Sequence, residues 1–202
     1  PQTGEYEYTL KPGTTAGDVT DEFTVRVTDE HGAYDEKNVS VNVHPNQTPV
    51  IDGDPGDFLA LKEAGVGTVG AGGKPGWAPG EHNHVIAGNK EDDSSFTVRD
   101  PEGGKLTASL LDKDGIPVAG VQTDDSGKMT LQTEYGILTV TPVGNADGSV
   151  TYTYHYELND TLSDSLDQGD SVHEEFRIQV SDGHNGTLTH PVDITIEGTN
   201  DA

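Results

Sequence analysis

The chain has 202 residues, with 36 Asp and Glu against 11 Lys and Arg, a formal net charge of -25 and no cysteine. That balance makes nucleic acid and anionic membranes poor partners. The cysteine count excludes disulfide cross-links, and no apolar run approaches the roughly 18 residues that a membrane span needs.

In chain order, the first strands are legible at Phe23, Val25 and Val27 and at Val39, Val41 and Val43. Alternation of this kind puts one face of a strand inward. Asp29-Glu30-His31-Gly32 between them carries turn chemistry and predicts a hairpin. The link His44-Pro45-Asn46-Gln47-Thr48-Pro49 follows, and its two prolines predict a short, stiff connector. After Asp52-Gly53-Asp54-Pro55-Gly56-Asp57 comes a long connection from Gly65 to Asp93, containing Trp77 and His82-Asn83-His84. Unstructured connections of that length are uncommon in a compact domain. Further strands are predicted over 95–98, 105–111, 128–132, 136–140 and 149–158. Asp112-Lys113-Asp114-Gly115 and Asn145-Ala146-Asp147-Gly148 are read as turns. A last hairpin alternates through Phe176, Ile178 and Val180, turns at Asp182-Gly183-His184-Asn185-Gly186, and returns through Val192, Ile194 and Ile196. About seven short strands and no helix of useful length indicate an all-β sandwich.

The chain also repeats itself. Glu22, Phe23, Val27, Asp29, His31 and Val39 match Glu175, Phe176, Val180, Asp182, His184 and Val192, each 153 positions later. Tyr6, Tyr8 and Leu10 match Tyr154, Tyr156 and Leu158 at 148, the difference falling in a connection, where length varies. A period of one domain length predicts tandem domains rather than a solenoid. Residues 1–49 are then the last part of one sandwich plus a linker, and 50–202 a complete one. Pro1 opens with no signal-peptide pattern, and the chain is expected to be an excised fragment.

Self-repulsion at this charge calls for multivalent cations, and calcium takes six to eight oxygens in a flexible shell. Asp52 and Asp54 after the first junction, and Asp29 and Asp182 in the hairpin turns, are candidate ligands. The plainer reading of each is a solvated turn former. Asp112, Asp114, Asn145 and Asp147 are read as turn formers only, and Asp92, Asp93, Asp124 and Asp125 as solvated loop charges. The His82 and His84 pair lacks the cysteine or second spaced pair that would mark a zinc site. Trp77 is expected to close over one end of the sandwich; the alternative is a ring stacking on a glycan or peptide ligand. No nucleophile elbow, phosphate loop or zinc-protease pattern is present, so the chain is read as non-enzymatic.

Leu61-Lys62-Glu63-Ala64-Gly65, Asp100-Pro101-Glu102-Gly103-Gly104, Asn145-Ala146-Asp147-Gly148-Ser149 and the closing Gly198-Thr199-Asn200-Asp201-Ala202 resemble the VCBS repeat, a neighbour of the bacterial cadherin-like domains. The resemblance covers 49–202 and, through the internal match, 1–49. It implies Ig/cadherin-like Greek-key β-sandwich repeats in tandem, calcium at the domain junctions, and a place in a very large secreted RTX-type adhesin of the bacterial cell surface. There such repeats act as extenders in cell adhesion and biofilm formation. The implied partners are neighbouring repeats, with host-surface or glycan ligands as a further expectation, particularly at the glycine-rich segment 65–93. Mapped residue by residue, the resemblance implies Glu63, Asp100, Glu102, Asn200 and Asp201 as calcium ligands. The first junction carries Asn46-Gln47-Thr48 in place of Thr199-Asn200-Asp201; Asn46 is its candidate ligand, and the missing carboxylate makes it the weaker junction.

Overall fold

A computed structural model of the chain describes residues 6–9, 19–56, 58–67, 84–86 and 88–199. The chain divides into two units, Pro1–Asn46 and Gln47–Ala202. The division falls three residues before the expected one because the Gln47 N–H donates to both carboxylate oxygens of Glu102, at 3.1 Å each, tying the end of the linker to the second unit.

In the first unit β1 (Val19–Thr28) pairs antiparallel with β2 (Tyr34–Val43). The turn between them is made by Asp29. Its Oδ1 accepts the N–H groups of His31 and Ala33, both at 2.9 Å, while its carbonyl accepts the N–H of Gly32. Gly32 sits at φ 85°, a left-handed conformation that costs a residue with Cβ about 1–2 kcal/mol.

The second unit contains β3 (Val50–Ile51), β4 (Leu59–Lys62), β5 (Gly65–Gly67), β6 (His84–Ile86), β7 (Glu91–Arg99), β8 (Thr107–Asp112), β9 (Gln122–Thr123), β10 (Met129–Gln132), β11 (Gly136–Gly144), β12 (Val150–Leu158), the single turn α1 (Asp160–Ser163), β13 (Ser171–Ser181) and β14 (Thr187–Glu197). One sheet has the order β3-β7-β12-β11-β10-β9 and the other β4-β14-β13-β8. All neighbours are antiparallel except β4 and β14, which run parallel. The fold is nearly all β, as the alternation predicts.

Both sheets contribute to one apolar core. Phe96, Val98, Leu138, Val140, Tyr152, Tyr154 and Tyr156 come from the first, and Leu59, Leu61, Leu110, Ile178, Val180, Val192, Ile194 and Ile196 from the second. Within β12 the buried positions alternate with half-exposed threonine and histidine, so period-2 patterning is what fixes which face turns inward.

The long connection from Gly65 to Asp93 departs from the expectation of an unstructured segment. β5 and β6 pair at its two ends, and β7 already begins at Glu91, which places Asp92 and Asp93 in a strand rather than in a solvated loop. The reason is a cross-sheet bond: Asp92 Oδ2 accepts the Ala60 N–H at 2.9 Å, and Asn89 Nδ2 donates to the Ala60 carbonyl, lacing β4 to the start of β7. Sequence reasoning saw only a run of charge there. Trp77, His82 and Asn83 lie outside the described residues.

The internal match is reproduced in the hydrogen-bonding register. Phe23 faces Val39 and Phe176 faces Val192; Thr28 faces Tyr34 and Ser181 faces Thr187; all four partners are shifted by 153 (176 − 23, 192 − 39, 181 − 28, 187 − 34). A tyrosine–carboxylate bond is repeated as well. Tyr156 Oη donates to Glu174 Oε2 at 2.5 Å, and Tyr8 Oη to Asp21 Oδ2 at 2.8 Å. Asp21 and Glu174 differ by the same 153, and Tyr8 and Tyr156 by 148.

Candidate functional site

The acids singled out by sequence segregate to opposite ends of the second unit. β4 and β14 run in parallel and finish together, where the Glu63 N–H donates to the Glu197 carbonyl. Lys62 bridges Asn89, so the nine-residue β7 starts at this end and carries Asp100 to the other, roughly 30 Å away at about 3.3 Å per residue. Glu63 therefore shares no site with Asp100 or Glu102 within this unit. The hairpin turn at Asp182 stands at the Asp100 end, because β14 runs from there towards Glu63 and Ser181 pairs with Thr107.

At the Asp100 end, the backbone claims much of the carboxylate chemistry. Asp100 is 5% exposed; its Oδ1 accepts the Glu102 N–H and its Oδ2 the Gly104 N–H, both at 2.9 Å. The same device recurs at Asp182, whose Oδ1 takes His184 and Gly186, and at Asp112 and Asp124. In the Asp182 turn Asn185 stands where the other turns have glycine, at φ 77°. Asn tolerates that region better than most side chains, since its short amide bonds locally. Asp54 Oδ1 accepts the Gly56 N–H at 3.1 Å, Asp52 Oδ2 lies 3.6 Å from Arg99 Nε, and both acids are exposed. Exposed Glu102 is held by Gln47. The readings of Asp112 and Asp147 as turn formers agree with their bonds, the latter accepting the Ser149 N–H and hydroxyl. Asp147 is accordingly held below its ordinary carboxylate value, chiefly by the Ser149 hydroxyl.

The opposite end is different in kind. Glu63 is 3% exposed, and its Oε2 accepts the Thr199 N–H at 3.3 Å. The Thr199 hydroxyl is itself buried, and its Oγ1 has no hydrogen-bond partner among the described residues. A buried carboxylate hydrogen-bonded to a residue whose own buried hydroxyl has no partner among the described residues offers oxygens of the kind a hard cation accepts. Gly88 packs directly against this segment, since a Cβ there would meet the Ala64 nitrogen and the Lys62 carbonyl at 2.5–2.6 Å, while Gly198 packs on Leu166 and Asp167. Asn200 and Asp201, the expected linker ligands, lie outside the described residues. Asn46 belongs to the first unit and is exposed; Asp29 is likewise exposed and bound within its own turn. Among the described residues, no three His, Asp or Glu side chains converge as a metal-binding group.

No protein-family model matches the chain, and no curated protein or solved structure matches it. Assignment therefore rests on the residues themselves.

Sequence reasoning missed a buried aromatic stack. His190 is 4% exposed and lies 4.0 Å, centroid to centroid, from Phe96 and 5.6 Å from Tyr154. Its Nε2 is 3.4 Å from the Tyr154 hydroxyl, while Nδ1 is buried with no hydrogen-bond partner among the described residues. The signal was an aromatic at every second position, Tyr152, Tyr154 and Tyr156, legible as a strand but not as a pocket for a histidine. Burial pushes the Tyr152 hydroxyl up to about 12 and raises Tyr156 too, with the Glu174 hydrogen bond adding to burial in the latter.

Desolvation lowers the His190 pKa below 6.5, with the Asp193 charge opposing it. Its other neighbours, Phe96, Tyr154 and its β13 partner Ile178, bring no charge near neutral pH. The neutral ring is the folded form, so the unfolded chain binds more protons below pH 6.5. Stability from this group is full above 6.5 and is lost as pH falls through the lowered value. Thermal melts at pH 7.5 and pH 5 should show His190→Phe gaining on the wild type as pH falls, because neutralisation of the surface acids acts on both. A pH-independent difference would overturn this.

Proposed function

We propose that the chain is a non-catalytic, calcium-binding extender module of a large secreted, cell-surface bacterial adhesin, built from Ig/cadherin-like Greek-key sandwiches in tandem. The single observation that carries the tandem reading is the repeated hairpin register at 153, together with the repeated tyrosine–carboxylate bond. The Greek-key reading is supported by the split start of the second unit. β3 pairs with β7 in one sheet, and β4 then joins the other sheet parallel to β14.

Calcium is supported by the placement of the acids. Glu63 and Thr199 at the exit of one repeat, with Asn200 and Asp201 of the linker, would face the Asp52, Asp100 and Glu102 end of the next repeat in a tandem array. Each end supplies part of an oxygen shell, and the ion would draw the two together. At a net charge of -25, ions at junctions also relieve the repulsion that opposes compaction. Stiffness would follow from linking two rigid sandwiches through a shared ion rather than through free chain.

Titration of calcium into chelator-treated protein tests this. Each site at a hundredfold excess over its Kd should add about 2.7 kcal/mol of stability, and small-angle scattering should show a longer maximum dimension. Unchanged melting and scattering profiles would sink the reading.

A further inference from the structure

The turn between β13 and β14 differs in one respect from those built like it. The carboxylates of Asp29, Asp100, Asp112, Asp124 and Asp182 each accept the N–H of the residue four positions on, at 2.8–3.1 Å. The residue before each donor takes positive φ. It is glycine at positions 32, 103, 115 and 127, but Asn185 in the last, at φ 77° and followed by Gly186. Gly32, the match of Asn185 153 positions earlier, makes the same turn at φ 85°, so the turn itself does not require the amide.

Asn185-Gly186 is also the single Asn-Gly pair in the chain. In such a pair the backbone nitrogen reaches the preceding side-chain amide with least hindrance, because the following residue has no Cβ. Asn185 is exposed, so water can enter and ammonia leave, whereas Gly186 is buried with its N–H on Asp182 Oδ1 at 3.0 Å. The closed turn therefore withholds the nucleophile. The Gly186 nitrogen must give up its proton to attack, and an adjacent carboxylate opposes the negative charge that this creates.

We propose that Asn185 is a site of spontaneous deamidation gated by Asp182. When the turn opens, the Gly186 nitrogen bonds to the Asn185 Cγ, its proton passes to water, and the side-chain nitrogen leaves as ammonia, closing a succinimide ring. One water then opens either carbonyl of the ring, leaving aspartate or isoaspartate at position 185; nothing is oxidised or reduced. Both products add a negative charge near buried Asp182, and isoaspartate also inserts a backbone carbon just before Thr187 pairs with Ser181. The result is a one-way loosening of this end of the β13–β14 hairpin. No cation takes part, so failure of this proposal would leave the calcium reading untouched.

The test incubates the full chain, folded and in denaturant, and follows the one-dalton gain at position 185 by peptide mapping with mass spectrometry. The folded chain should react at least about tenfold more slowly, since opening the turn costs at least one hydrogen bond to a charged group. Asp182→Ala should recover most of that factor. Asn185→Gly, which installs the residue of the first hairpin, should abolish the product and keep the fold. Deuterium exchange of the Gly186 amide needs the same opening, so in the wild type it should be slowed by a similar factor, a comparison that stands even if Asp182→Ala does not fold. Equal rates in the folded and denatured chains would overturn the proposal. So would a folded chain without product long after the denatured chain is fully converted, or exchange and deamidation slowed by unlike factors.

Discussion

Phe96→Ala should destabilise the second unit by about 3–5 kcal/mol, the range for deleting a fully buried aromatic. Phe96 is 1% exposed and stacks on Tyr152 at 5.5 Å and on His190 at 4.0 Å, with Tyr154 at 6.4 Å. It stands between the two sheets, and its neighbours are rings that cannot collapse into the space without tilting off one another. The cavity term therefore adds to the lost transfer free energy rather than being relaxed away. Denaturant unfolding followed by near-ultraviolet circular dichroism of the tyrosines measures this; a loss under 1 kcal/mol would show that the stack is not the centre of the core. The β1–β2 hairpin carries its own ring contact, Tyr6 edge-on to Phe23 at 6.2 Å, within the first unit, and its signal should be unaffected.

Glu63→Gln should reverse sign with calcium. Glu63 is buried, and its Oε2 takes the Thr199 N–H, a contact a glutamine oxygen also makes. In chelator the substitution removes a charge from a poorly solvated site and should raise the melting temperature. In excess calcium it removes the carboxylate proposed to hold the ion, and should cost much of the 2.7 kcal/mol that one site contributes at a hundredfold excess. Differential scanning calorimetry of both proteins in both conditions decides it. A shift of one sign in both would mean that Glu63 is a structural acceptor for Thr199 and no more.

What the sequence alone determined is the nearly all-β character, the longer strands, the turns and the internal match; the short strands β3, β5, β6 and β9 were not legible in it. Alternation at Phe176, Ile178 and Val180 or at Val192, Ile194 and Ile196 needs no tertiary information, because period 2 is a property of one extended backbone. Asp followed three positions later by Gly marks a turn for an equally local reason: the carboxylate reaches only its own next few N–H groups, as at Asp29 and Asp112.

Only the tertiary structure decided which acids share an end. The family resemblance implied both Glu63 and Asp100 as ligands without saying where each stands; the direction of β7 places them at opposite ends. It also decided that Asp92 laces two sheets rather than facing water, and that His190 is buried among rings. Each of these depends on partners far along the chain. The structure places Glu63 with Thr199 at one end of the second unit and Asp100 with Glu102 at the other, and the proposed calcium-dependent stiffness would have to act through those two ends.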